Sequence, residues 1–193
     1  MNQKHNREDI IAVGAELVRR NGYHATGIND ILREAGIPKG SFYNFFPTKE
    51  AYVREVLAWY ASRMEKAMRK IFSQTDMSAV ARLKKFYRLV IAGNAEEGFQ
   101  NGCLLNNLSI EVAGKHDLLA EEADYQFNRW VDEIETLVRE GQQSGEISTR
   151  FPARETAEFI HTAFYGAFAR MKSTRDESTM ATVYTMMFDS ICL

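Results

Sequence analysis

The 193-residue chain reads as all-α, with a small N-terminal module at residues 1–50 and a larger helical module at 51–193. Three observations lead there. Apolar residues recur at three- and four-residue intervals nearly throughout, which is the period of helices that bury one face. Only three prolines occur, and the Val/Ile/Thr alternation that strands need is missing. Hydrophobic residues make up 45% of the chain and charged ones 26%, an ordinary globular balance that can bury a substantial core.

The elements follow in order. Asn6, with Asp9 three residues on, can cap a first helix over about 7–21, with Ile10, Ile11, Gly14, Leu17 and Val18 on one face and Gly22 ending it. Thr26 is the expected N-cap of a second helix running to about Ala35, with Ile28, Ile31 and Leu32 inward and Gly36 supplying a left-handed residue at its end. Pro38 suits the start of a third, very short helix. Phe42 and Phe46, at i and i+4, pack it onto the first two, which leaves Lys39, Gly40, Ser41, Tyr43 and Asn44 facing outward. Two short helices joined by a tight glycine-containing turn make a helix-turn-helix, and its usual partner is the major groove of double-stranded DNA. Residues 1–50 hold seven Lys/Arg against six Asp/Glu. Binding to DNA must therefore rest on a few placed cations and on hydroxyl or backbone donors, not on bulk potential.

Pro47 interrupts the pattern and Thr48 restarts it, opening a long amphipathic helix to about Phe72 through Tyr52, Val56, Tyr60, Met64 and Met68. Further helices are expected at about 78–97, 102–113, 117–143, 153–172 and 177–191, separated at Gly98, Gly114 and the Gln142-Gln143-Ser144-Gly145 stretch. The last two are apolar over broad faces, with Phe159, Ile160, Ala163, Phe164, Ala167, Phe168 and Met171 on one and Val183, Tyr184, Met187, Phe188 and Ile191 on the other. That surface exceeds what one bundle of this size covers, so an isologous homodimer is expected, and a two-fold dimer suits palindromic DNA.

The polar start of the chain lacks a signal-peptide core and no uncharged run is long enough to cross a bilayer, so a cytoplasmic location and no membrane association are expected. Cys103 and Cys192 lie far apart without CxxC spacing, and no His/Asp/Glu grouping has ligand spacing. No metal, cofactor or disulfide framework is expected.

The residues Thr26 and Gly36-Ile37-Pro38-Lys39-Gly40-Ser41-Phe42-Tyr43-Asn44-Phe45-Phe46-Pro47-Thr48-Lys49-Glu50-Ala51 resemble the DNA-binding domain of TetR-type transcriptional repressors. The resemblance implies an all-α homodimer that blocks a promoter until a small-molecule inducer enters the second domain. Carried onto this sequence, it implies that Thr26 and Lys49 contact phosphate and that Lys39 and Tyr43 hold backbone or base edges. Many relatives have His where this chain has Asn44, and Asn can pair bidentately with adenine or simply bond phosphate.

A second segment, Asn101-Gly102-Cys103-Leu104-Leu105-Asn106-Asn107-Leu108-Ser109-Ile110-Glu111-Val112, resembles one in the members of that family that respond to electrophiles such as N-ethylmaleimide, aldehydes and quinones. Leu104, Leu105, Leu108 and Val112 form its buried face, and Cys103 sits in the first turn after an Asn cap, where the helix dipole can lower a thiol pKa. Lys172 is a candidate neighbour able to stabilise the thiolate or compete for the electrophile, and Cys192 is incidental. His116, Tyr125, Phe127, Trp130 and Phe164 are candidates to line an inducer pocket, while His161 can serve core or site. A non-covalent apolar inducer is the alternative. A cysteine enzyme using His116 or His161 as base leaves the helix-turn-helix unexplained and lacks a hydrolase signature around Cys103, so no catalytic residue is assigned. A helical interaction protein that never touches DNA is the other rival.

Overall fold

The computed structural model describes residues 6–193; the polar segment 1–5, at which the absence of a signal peptide was expected, lies outside them. Among the described residues nine α-helices account for the regular structure: α1 (Arg7–Asn21), α2 (Ile28–Ala35), α3 (Lys39–Phe45), α4 (Lys49–Phe72), α5 (Ala79–Glu96), α6 (Leu104–Val112), α7 (Asp117–Gln143), α8 (Ala153–Thr174) and α9 (Ser178–Ile191). No strand occurs among them, only an isolated bridge between Ile147 and Cys192. None of these helices is long and apolar enough to cross a membrane.

Expected and observed ends agree within two residues because the stop and start residues behave as their chemistry requires. Asn6 accepts from the Glu8 N–H at the start of α1, Gly22 ends it at φ 83°, and Thr48 accepts from the Ala51 N–H at the start of α4. Two caps differ. Gly27, not Thr26, is the N-cap of α2, and its N–H is taken by the Asp30 carboxylate. Cys103 itself is the N-cap of α6, so the helix starts two residues later than an Asn101 cap would place it.

Compactness divides the chain into a first unit, Met1–Arg63 with Cys103–Gln126, and a second, Met64–Gly102 with Phe127–Leu193. The boundary expected at residue 50 therefore does not separate the compact units. The reason is packing: α6 lies against α1, and Leu104, Leu105, Leu108 and Val112 are fully buried.

In the first unit Ile10, Val18, Ile31, Phe42, Phe46, Tyr52, Val56 and Leu57 are removed from solvent. Tyr52 crosses α1 at Gly14, where an added Cβ would lie 2.0 Å from its hydroxyl, and the hydroxyl donates to the Ile10 carbonyl at 2.6 Å. That close approach explains a glycine inside a helix, where glycine otherwise costs about 1 kcal/mol against alanine. In the second unit Arg82 is buried, donating to the Phe72 carbonyl at 2.6 Å and pairing with Glu140. The buried Glu65 is held by Arg129 and Arg69, and Arg69 also reaches Glu133 at 2.7 Å. The two C-terminal helices pack on each other, and Phe164 stacks on Tyr87 at 3.8 Å between ring centres. Their apolar faces are not all covered: Ile160, Phe164, Met187 and Phe188 are buried, whereas Phe159 is 51% and Met186 68% exposed.

Candidate functional site

The outward face of α3 forms because its inward face has no alternative. Gly36 at φ 64° turns the chain after α2, the Ile37 N–H bonds the Leu32 carbonyl at 3.0 Å, and Pro38 starts the next helix as its N-cap. Seven residues make too little helix to persist alone. Phe42 and Phe46 hold it, both fully buried, with their ring centres 5.2 and 4.8 Å from that of Tyr52. Lys39, Gly40, Tyr43 and Asn44 are then left exposed and Ser41 half-buried, as the periodicity predicts. A Cβ on Gly40 would meet nothing within 4 Å, so the fold does not need glycine there and the site keeps room for a close approach from outside.

Two of the residues assigned to phosphate are elsewhere. Thr26 is fully buried and its hydroxyl donates to the Gly22 carbonyl at 2.7 Å, so it locks the turn before α2 instead of facing outward. Lys49 turns inward: its ammonium donates to the Tyr23 carbonyl and lies 4.1 Å from the centre of the Tyr23 ring. Burial lowers its pKa, against the opposite pull of the Glu111 carboxylate.

The turn between α1 and α2 is bound from α6. Glu111 Oε2 accepts from the Tyr23 N–H at 2.9 Å and Oε1 from the His24 N–H at 2.8 Å. His116 joins this cluster, with its ring 4.7 Å from Tyr23 and 5.7 Å from His24 and its Nδ1 3.3 Å from Glu50. It thus packs against the turn between α1 and α2 and the start of α4.

The other pocket candidates differ in exposure. Tyr125 is 58% exposed, while Trp130 and Phe164 are buried in the core of the second unit. Trp130 lies against Phe127 and His161, at 6.0 and 6.3 Å. Burial lowers the His161 pKa to about 4, so its imidazole is neutral among Phe127, Trp130 and Tyr165.

Cys103 is half-buried at the head of α6. The N–H groups of Leu105 and Asn106 face its sulfur without completing a capping hydrogen bond, Tyr60 donates its hydroxyl to the sulfur, and the Arg19 charge adds to the same pull. Burial outweighs all of these and pushes the thiol pKa up, which reverses the lowering expected from the dipole alone. The Tyr60 hydroxyl also accepts from the Leu104 N–H, so it ties α4 to the first turn of α6. Lys172 is exposed near the end of α8 in the second unit. Cys192 is half-buried, and burial raises its pKa as well.

Sequence reading missed Tyr60, Tyr23 and Glu111. Glu111 left a trace, being the one charged residue in the α6 sequence LLNNLSIEV. Tyr60 left none, because its spacing is that of an ordinary core position.

Comparison with known proteins matches this architecture at both ends. Residues 10–56 match the family described as bacterial regulatory proteins, tetR family, and residues 79–187 match the tetracyclin repressor-like C-terminal domain. The chain is 28% identical to the HTH-type transcriptional repressor DhaR of Mycobacterium sp. (strain GP1), over 96% of this chain and 91% of that protein. It is 30% identical to the transcriptional regulator AcuR of Cereibacter sphaeroides, over 86% of this chain and 75% of that protein. The reduced form of Escherichia coli NemR has the same fold, with a TM-score of 0.90 over 97% of this chain and 96% of that one at 20% identity. The exposed face of α3 and the two matches, one over the DNA-reading helices and one over more than half of the chain, place it plainly: this protein belongs to the TetR family of bacterial regulatory proteins.

Proposed function

We propose that the protein is a dimeric, ligand-responsive repressor that reads a palindromic operator through α3 and is released by a small molecule, with Cys103 as the point of attack for an electrophile. The observation that carries the DNA-binding half is the exposed Lys39, Gly40, Tyr43 and Asn44 face, fixed in place by a buried aromatic core. Repression is supported by the likeness to the repressor DhaR. Dimerisation is supported by the exposed Phe159 and Met186 on α8 and α9, since a two-fold axis through that face would bury both. Two copies of α3 would then enter successive major grooves about 34 Å apart. Function of this kind places the protein in the cytoplasm with the chromosome.

With Lys49 turned inward, Lys39 is the cation on the reading face. Lys39→Ala is expected to weaken binding to all DNA sequences and to reduce the slope of log K against log salt by about 1. Anisotropy titrations at three salt concentrations measure it, and an unchanged slope means that this lysine makes no phosphate contact. Asn44 reads bases in this arrangement, whereas Thr26 serves only the fold.

The electrophile half rests on the Cys103, Tyr60 and α6 N-terminal arrangement, in which a thiolate, once formed, meets three donors. Its test is fluorescence anisotropy on DNA from the protein's own promoter region, with and without N-ethylmaleimide, for wild type and Cys103→Ser. The reagent is expected to lower wild-type affinity about tenfold or more and to leave Cys103→Ser unchanged. An equal response of the two would move the search to a reversible ligand. That second reading, a non-covalent apolar inducer, is favoured by the raised pKa of Cys103.

A further inference from the structure

We infer that Glu111 is the positioning residue through which α6 controls the DNA-reading module. This deepens the reading above, on which its DNA arm rests. The α6 helix is short, with Cys103 as its N-cap and Glu111 in its last turn, eight residues or about 12 Å apart along the axis. At the far end the two carboxylate oxygens each take one backbone N–H of the α1–α2 turn, Tyr23 at 2.9 Å and His24 at 2.8 Å. Charge-assisted bonds to consecutive amides fix the orientation of that turn as well as its position.

The surroundings fit this contact on every side. Gly22 has φ 83°, and a Cβ there would lie 2.5 Å from Glu111 Oε2, so the turn has no side chain where the carboxylate sits. Lys49, from the first turn of α4, binds the carbonyl of the same Tyr23 and faces its ring, and its charge balances Glu111. Thr26 then closes the turn onto α1 at the Gly22 carbonyl. The turn leads directly into α2 and α3, so a small rotation or slide of α6 moves the reading helix through two hydrogen bonds. Between them, Tyr60 at the head of α6 and Glu111 at its tail attach the helix to α4 and to the α1–α2 turn.

The test uses the full-length protein and Glu111→Gln. Glutamine keeps the size but can accept only through one oxygen, and its amide group opposes the second N–H. Amide hydrogen exchange at Tyr23 and His24 is expected to be about tenfold or more faster in Glu111→Gln than in wild type. Equal rates would overturn the inference. Cys103 is then alkylated with N-ethylmaleimide, with mass spectrometry confirming equal labelling of both proteins. Alkylation is expected to change exchange at these two amides in wild type and not in Glu111→Gln. No change in wild type overturns the inference, because α6 would then carry nothing to the turn. Operator affinity, measured on the same samples, tests the repressor separately: exchange that responds while affinity does not leaves Glu111 as the connector and sinks the thiol-switched repressor. Loss of affinity on alkylation in wild type and Glu111→Gln alike overturns the connector and keeps the repressor.

Discussion

Phe42→Ala is expected to destabilise the first unit by about 3–5 kcal/mol and to abolish operator binding at any accessible protein concentration. Phe42 is fully buried, with ring centres of Phe46, Tyr52 and Tyr43 at 5.4, 5.2 and 5.4 Å, so truncation loses three aromatic contacts and leaves a cavity under a seven-residue helix. Collapse around that cavity is opposed by Tyr52, whose hydroxyl is fixed on the Ile10 carbonyl across Gly14. No side-chain cap supports α3, so packing is what keeps Tyr43 and Lys39 in register. The chain has two tryptophans, Trp59 in the first unit and Trp130 in the second. Single-tryptophan variants followed through a urea titration therefore report each unit. The Trp59 midpoint should fall sharply, and an unchanged Trp59 midpoint would falsify the view that α3 hangs on its aromatic core.

The same residue shows why the DNA-reading end is legible in the sequence. Helix starts and stops there are written in single residues with one strong preference each, such as Asn6, Gly22, Gly36 and Thr48, and the i, i+4 pair of Phe42 and Phe46 fixes which way α3 faces. Thr26 is ambiguous because threonine before an apolar period is a good cap and also a good partner for a free carbonyl four residues back; the chain has Gly27 to take the capping position and gives the hydroxyl to Gly22. Lys49 misleads for a different reason. Its position at the start of α4 is apparent from the pattern, but its direction depends on Tyr23 and Glu111, the latter 62 residues away. Such long-range pairs leave no local period to read.

The region from α6 to α8 is legible only in part. The α6 face Leu104, Leu105, Leu108 and Val112 is buried as its spacing requires. The sign of the Cys103 shift is not written locally, because a dipole argument sees the amides at the helix start and not the density of protein around the sulfur. Aromatic residues on α7 and α8 likewise announce burial but not its purpose. Trp130 and Phe164 satisfy the apolar period equally well as packing or as ligand contacts; both are buried, Trp130 beside His161 and Phe164 stacked on Tyr87.

The stability of the second unit should fall as the pH is lowered from about 6.5 to 4, and His161 is the reason. Its folded-state pKa is lowered to about 4 by burial, from an ordinary value of 6.5. The folded state therefore holds the ring neutral where the unfolded chain takes up a proton. The contribution is fully present above pH 6.5 and is lost progressively as pH falls toward 4, by about 2 kcal/mol at pH 5 and at most about 3 kcal/mol at the end of the window. The carboxylates with lowered pKa, Asp30, Glu146 and Asp176, lose their contributions only below the ordinary carboxylate range, so pH 6.5 to 5 is the diagnostic interval. Phe127, Trp130 and Tyr165 surround the imidazole with aromatic rings and supply no carboxylate to receive the charge. Urea midpoints read from Trp130 at about pH 7.5, 6.5, 5.5 and 5.0 measure the slope for wild type and His161→Gln. The variant should be less stable at the highest of these pH values through lost packing, yet flatter across the interval. A slope that survives the substitution would assign the acid sensitivity to another group and show that the His161 ring takes up its proton in the folded state at no cost.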